Sequence, residues 1–199
     1  MATPLKIFVA EDDPLVVTGL QMQLQNLGHT VVGVTSKGSD AAGLIKSHKP
    51  DLVILDIKLP EMSGLEISRT LMQEHPLPII LLTAYSEEKL IQAADVVGAM
   101  AYLVKPVDER DLAPAIMLAW RRFQELQSLK QEVENLNDAL EARKTVERAK
   151  GILMKRRGLT EDEAFQRIRQ QARDRRVKMQ EIALTIIQAE EIMGGDLAL

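Results

Sequence analysis

The 199-residue sequence contains no cysteine. That absence excludes a disulfide framework, a thiolate metal site and a cysteine nucleophile, and it fits a reducing compartment. Aromatic residues are scarce, with one tryptophan, two tyrosines and three phenylalanines. Long apolar runs are missing as well: stretches such as Leu77–Leu82 and Ile182–Ile187 fall far short of the roughly 18 residues that a membrane span needs. No basic segment followed by an apolar stretch opens the chain, so the expected compartment is the cytoplasm, with no membrane partner. Carboxylates, lysines and arginines are left to carry the chemistry.

Composition is 46% hydrophobic and 27% charged, enough core and surface material for one large or two small globular domains. Charge is unevenly spread. Residues 1–125 hold 11 basic and 16 acidic residues, whereas Arg143–Lys178 holds 13 basic and 5 acidic ones, a net of +8. A basic module therefore follows an acidic one, which fits either an input half controlling an output half that faces a polyanion or an ordinary solvated basic helix surface; charge alone does not choose between them.

Five short apolar segments, Leu5–Ala10, Thr30–Val34, Leu52–Asp56, Pro78–Thr83 and Ala101–Val104, read as strands. Those at 52–55 and 79–82 are continuously apolar, as parallel strands covered on both faces are. Helix signatures lie between them: Asp13-Pro14, a start at Ser39 reaching Ile45, Ser63-Gly64 toward Met72, and Ser86-Glu87-Glu88 toward Val96. The alternation predicts an α/β, doubly wound parallel sheet over 1–122, whose ligand site lies outside the strands' carboxyl ends. Beyond Pro106 the pattern is helical. Leu129, Val133, Leu136 and Leu140 step by 4, 3 and 4, predicting a coiled-coil linker over 123–141 with a stammer at Leu126–Leu129. Residues 142–199 read as a small all-α bundle of three helices. Thr160-Glu-Asp-Glu163 forms a capping box for the second of them, and Phe165, the tail's only aromatic, is expected in its core along with Met154, Met179 and Met193.

Glu11, Asp12 and Asp13 directly follow the first strand and Asp56 ends the third, so parallel pairing brings them to one edge. Crowded carboxylates repel unless a hard cation neutralises them, and an all-oxygen site suits Mg²⁺. Thr83 and Lys105 end the fourth and fifth strands. A hydroxyl and an ammonium beside such carboxylates suit a phosphoryl group held on a carboxylate oxygen.

Val9-Ala-Glu-Asp-Asp-Pro14, Asp56-Ile-Lys-Leu-Pro-Glu-Met-Ser-Gly64, Thr83-Ala84 and Tyr102-Leu-Val-Lys105-Pro106 resemble the signature blocks of receiver domains of two-component response regulators. The resemblance implies a flavodoxin-like five-stranded fold and an Asp56 that accepts a phosphoryl group from a sensor histidine kinase. It further implies Mg²⁺ on Glu11, Asp12, Asp56 and the Lys58 backbone carbonyl, phosphoryl contacts from Thr83 and Lys105, and a switching Tyr102. A cis Lys105–Pro106 bond is expected with it. Any enzymatic activity would be confined to self-phosphotransfer and hydrolysis of the acyl phosphate.

In the tail, Glu147-Arg-Ala-Lys-Gly-Ile-Leu-Met154, Glu161-Asp-Glu-Ala-Phe165, Ile168-Arg169, Ala172 and Ile182-Ala183 resemble the ANTAR domain. The resemblance implies binding of hairpin RNA and transcription antitermination. The candidate RNA contacts are Lys150, Arg156, Arg157, Arg169 and Arg176, acting on phosphates and loop bases. A phosphorylation-dependent homodimer is expected through the linker. The rival readings are a receiver-controlled DNA-binding transcription factor and a phosphorelay intermediate. The first suffers from an apolar and acidic last helix, Glu181–Glu191, a poor reader of a major groove.

Overall fold

The computed structural model describes residues 4–84 and 98–194. The helix expected over Ser86–Val96 lies outside them. Elements run in the order β1 (Lys6–Ala10), α1 (Pro14–Asn26), β2 (Thr30–Thr35), α2 (Gly38–His48), β3 (Leu52–Asp56), α3 (Gly64–Glu74), β4 (Ile79–Ala84), β5 (Ala101–Lys105), α4 (Glu109–Arg157), α5 (Glu161–Arg175) and α6 (Met179–Gly194). The chain divides into two compact units, 1–127 and 128–199.

In the first unit all pairings are parallel and the strand order is β2-β1-β3-β4-β5. Strand alternation splits the buried side chains into two layers. Ile7, Val9, Ile54, Ile80 and Leu82 pack with Leu20 and Leu24 of α1 and Leu112, Ile116 and Ala119 of α4. Phe8, Ala10, Val53, Leu55, Ile79 and Leu81 pack on the other side with Ala41 and Ile45 of α2 and Ile67 and Leu71 of α3. Both faces being covered is why the central strands are continuously apolar.

Local chemistry starts the helices where the sequence suggests, with one shift. The Asp13 side chain accepts from Leu15 N at 2.8 Å, and Pro14 supplies the first turn of α1. Ser63 and Glu66 form a capping box at α3. The second helix starts at Gly38, ahead of the expected Ser39, and Lys37 caps it without a side-chain bond. The reason is tertiary: a Cβ at Gly38 would lie 1.9 Å from the Met62 carbonyl oxygen, so the helix start sits directly against the loop that follows β3.

The second unit is a three-helix core. Ala149 of α4, Ile168 and Ala172 of α5, and Ile182, Ala183 and Ile187 of α6 are buried together. Alanines at the crossings let the helix axes approach closely. Thr160 and Glu163 form the expected capping box at α5. The linker and the first tail helix are not separate elements: α4 is one continuous helix of 49 residues. Nothing between Leu140 and Val146 breaks helical geometry, so a change of domain does not require a change of element. Its Leu129, Val133, Leu136 and Leu140 are all exposed, Leu136 at 63%.

Candidate functional site

The carboxyl ends of β1, β3, β4 and β5 form the first site. Glu11 and Asp12 follow Ala10, which is in register with Leu55, so Asp56 arrives beside them. One carboxylate oxygen from each of Glu11, Asp12 and Asp56 lies within 4.8 Å of the others. Glu11 and Asp56 are buried, at 1% and 5% exposure, whereas Asp12 faces solvent. Lys105, paired in register with Ala84, reaches over them: its Nζ is 2.6 Å from Glu11 Oε2 and 3.1 Å from Asp56 Oδ2. The Lys105–Pro106 bond is cis, as the resemblance implies.

Burial pushes the Glu11 carboxyl up, against the opposing pull of Lys105 and of the Asp13 N–H, which donates to Glu11 Oε1 at 3.1 Å. Burial works against the Lys105 ammonium, yet contact with Glu11 and Asp56 outweighs it and raises its pKa. The three carboxylates Glu11, Asp12 and Asp56 face the Lys105 ammonium, an excess of negative charge among these four side chains. An all-oxygen donor set carrying that charge fits a hard divalent cation, so Glu11, Asp12 and Asp56 suit Mg²⁺. Lys58 lies exposed in the turn directly after β3. Thr83 is buried, with its hydroxyl donating to the Ala84 carbonyl at 3.3 Å. Tyr102 stands on β5 at 48% exposure, its backbone in register with Leu81.

A contact that sequence reasoning missed steadies the loop after Asp56. Glu61, in a left-handed conformation with φ of 70°, accepts from the Ser39 hydroxyl and pairs with Lys37 at 3.2 Å. The Ser39 bond, and Lys37 after it, hold the Glu61 carboxyl below its usual range. No local pattern announces this clasp, because the partners lie on a different helix start.

The basic candidates in the second unit separate into two groups. Lys150 is 6% exposed, with Nζ at 2.8 Å from Glu147 and 2.7 Å from Glu161. Arg156 is paired with Glu190 at 2.8 Å. These two are engaged in ion pairs within the unit in this structure. Arg148 likewise meets Glu191. Arg157, Arg169 and Arg176 are exposed with no ion pair among the described residues. Arg176 caps α5 in the left-handed conformation, with φ of 55°. Arg143, Arg173 and Lys178, exposed and likewise without an ion pair among the described residues, join them, although counting charge along the sequence could not separate these from the paired cations. Two expected core residues also differ. Met154 is exposed, and Phe165 is only half-buried and lies outside the buried cluster, while its neighbour Ala164 is fully buried.

A parallel 2-1-3-4-5 sheet with an aspartate at the end of β3, an acidic pair after β1 and a lysine closing them from β5 defines a receiver. The profile of the response regulator receiver domain matches residues 7–117, and that of the ANTAR domain matches 134–187. The chain belongs to the response regulators, with a receiver domain followed by an ANTAR domain. It is 42% identical over 187 residues to the transcriptional regulatory protein PdtaR of Mycobacterium tuberculosis, a similarity covering 94% of this chain and 91% of that protein. Among solved structures, the signal receiver domain of a modulated diguanylate cyclase from Desulfovibrio desulfuricans is 30% identical with a TM-score of 0.57, covering 61% of this chain and 98% of that one. The receiver domain of the putative response regulator NarL from Mycobacterium tuberculosis is 28% identical with a TM-score of 0.55, covering 58% and 95%. Among the described residues no helix is long and apolar enough to cross a membrane.

Proposed function

We propose that this response regulator is a phosphorylation-controlled, RNA-binding antiterminator acting in the cytoplasm. The observation that carries the reading is the presence, in one chain, of a buried aspartate closed in by Lys105 and of a helical unit with unpaired exposed arginines. Asp56 takes the phosphoryl group from a sensor histidine kinase: a P–N bond on the donor breaks as a carboxylate O–P bond forms. Lys105 and Thr83 bind the phosphoryl oxygens, and Tyr102 changes rotamer as Thr83 moves. Mg²⁺, held by Glu11, Asp12, Asp56 and the Lys58 carbonyl, supplies neutralisation of the charge that arrives. Beyond this self-phosphotransfer and loss of the acyl phosphate, no enzymatic step is assigned.

The output is binding of hairpin RNA by the basic three-helix unit, which keeps a terminator from forming. Support comes from the acids of α6: Glu190 and Glu191 neutralise Arg156 and Arg148, so α6 offers little to a DNA groove. The exposed leucine stripe of α4 is assigned to a second copy of the chain, recruited on phosphorylation. Crosslinking and sequencing of bound RNA, with a small phosphodonor present and absent, tests the whole. Donor-dependent recovery of hairpin-forming transcripts is expected, and recovery of duplex DNA alone, or of no nucleic acid, overturns the reading.

A further inference from the structure

The half-buried Phe165 is the clue to a second feature of the helical unit. The largest side chain available to a small bundle ordinarily fills its core, yet here Ala164, Ile168 and Ala172 take the buried positions. Phe165 instead lines a surface groove of about 380 Å³ with Val146 of α4 and Met179 at the start of α6. That volume lies within the range of roughly 300–1,000 Å³ common for small-ligand pockets. Arg143 and Lys178 also line it, together with Gln180.

The charges around the groove select its occupant. Arg143 and Lys178 have no ion pair among the described residues, and the Gln180 amide has no hydrogen bond there. The acid in the wall, Glu147, is not free to oppose them, since both its oxygens accept from Lys150 Nζ at 3.0 and 2.8 Å. An apolar protein side chain would fit the floor but leave the two cations unanswered. A second copy of this unit would bring the same +8 segment against them, and like charges repel. An unpaired nucleotide satisfies all three features: its base is flat and apolar on its faces, its edge carries donors and acceptors for an amide, and its flanking phosphates are anionic.

We propose that this groove receives one unpaired base of an RNA loop, stacked against Phe165, read at its edge by Gln180, and flanked by phosphates on Arg143 and Lys178. The inference rests on the RNA-binding reading above and adds a site to it. Bases inside a stem are stacked and cannot enter, so the groove distinguishes a loop from a duplex.

The test uses the full chain and a pool of RNA hairpins with a fixed stem and a randomised loop, from which binders to the wild-type chain are selected. Each loop position of a selected hairpin is then made abasic in turn. One position is expected to cost the wild-type chain roughly tenfold in affinity, in line with aromatic–base stacking. The same abasic change should cost Phe165→Leu clearly less, only what the Gln180 edge contact supplies, while Lys178→Gln should reduce the salt dependence instead. Equal affinities and equal abasic profiles for wild type and Phe165→Leu overturn the groove but leave RNA binding standing. Failure of every hairpin in the pool to bind the wild-type chain overturns the functional reading itself. If circular dichroism shows Phe165→Leu to be unfolded, 5-iodouridine at each loop position decides on the wild-type chain: crosslinks to the peptides holding Phe165 or Met179 support the site, and crosslinks confined to other peptides sink it. A change in sedimentation mass of Phe165→Leu without RNA marks the groove as a protein-binding surface and also overturns it.

Discussion

Lys105 sits closer to Glu11 than to Asp56, with Nζ at 2.6 Å from the one and 3.1 Å from the other. The ammonium therefore does two tasks: it neutralises a buried acid and it borders the phosphoacceptor. Removing it in Lys105→Met leaves the Glu11 carboxylate buried without its partner, an arrangement that costs about 3 kcal/mol in comparable buried pairs. A lower denaturant midpoint is expected. Glu11→Gln in the same background should recover part of it, since an amide carries no charge to bury.

Asp56→Asn is expected to fold like the wild type and to gain no phosphoryl mass from acetyl phosphate, because an amide keeps the volume but is a poor nucleophile. Acyl phosphate on the wild-type chain should require Mg²⁺, disappear on chelation and fall sharply in Asp12→Ala. Intact-mass spectrometry reads all three, and full labelling of Asp56→Asn would move the phosphoacceptor elsewhere.

The exposed stripe of α4 leads to an assembly prediction. Leu136→Lys should abolish a phosphodonor-induced dimer in sedimentation experiments while leaving the receiver's melting unchanged, since Leu136 is not part of the receiver's packed layers. The same mass for wild type and variant with donor present would assign the stripe to something other than a second copy.

Basic residues of the helical unit should part into two classes under mutation. Neutralising Arg157, Arg169 or Arg176 is expected to flatten the salt dependence of RNA affinity by roughly 0.7 to 0.9 of a unit of log–log slope for each phosphate that the side chain had neutralised. Lys150→Gln should lower the unit's melting temperature instead, because the nearly covered Lys150 bridges Glu147 and Glu161, whereas breaking the more exposed Arg156–Glu190 pair should change it little. Filter binding across a salt series, together with thermal melts, separates the two.

Glu163 gives the pH prediction. Its carboxyl is held below the usual range by the Thr160 backbone N–H, which donates to Oε2 at 2.8 Å, and by the Thr160 hydroxyl. A depressed carboxyl pKa stabilises the fold above the ordinary carboxylate range and loses that contribution as the pH falls through it. Glu163→Gln, which keeps the reach but not the charge, should be less stable at neutral pH. The gap to wild type should close on acidification. Melting curves at a series of pH values check it.

Most of the sheet was legible because continuous apolar runs such as Leu52–Leu55 have few ways to be buried other than as central parallel strands. Strand ends then placed Glu11, Asp56, Thr83 and Lys105 at one edge with no further information. Side-chain pairing in the helical unit was not legible in the same way. Lys150 looks like any other cation along the sequence, and only the folding of α5 back along α4 brings Glu161 to it. The position of Phe165 has the same origin: Ala164 and Phe165 are adjacent apolar residues at the edge of one helical stripe, and only the packed fold shows that Ala164 is the one fully buried. The continuity of α4 is hidden for a different reason: a boundary between family motifs need not be a boundary between elements, and the residues at 140–146 carry no helix-stopping signal.

The two carboxylates around Lys150 Nζ have a bearing on amine chemistry. An acylating reagent needs a deprotonated, accessible amine, and Lys150 is denied on both counts: it is nearly covered, and Glu147 first and then Glu161 raise its pKa. Its reaction with such a reagent therefore tracks the opening of the α4–α5 packing, giving a built-in reporter of breathing in the helical unit without any added label. Acetylation at this lysine, chemical or enzymatic, would have to follow that opening, and it would replace the ammonium that bridges Glu147 of the same helix and Glu161 of the next with an uncharged amide.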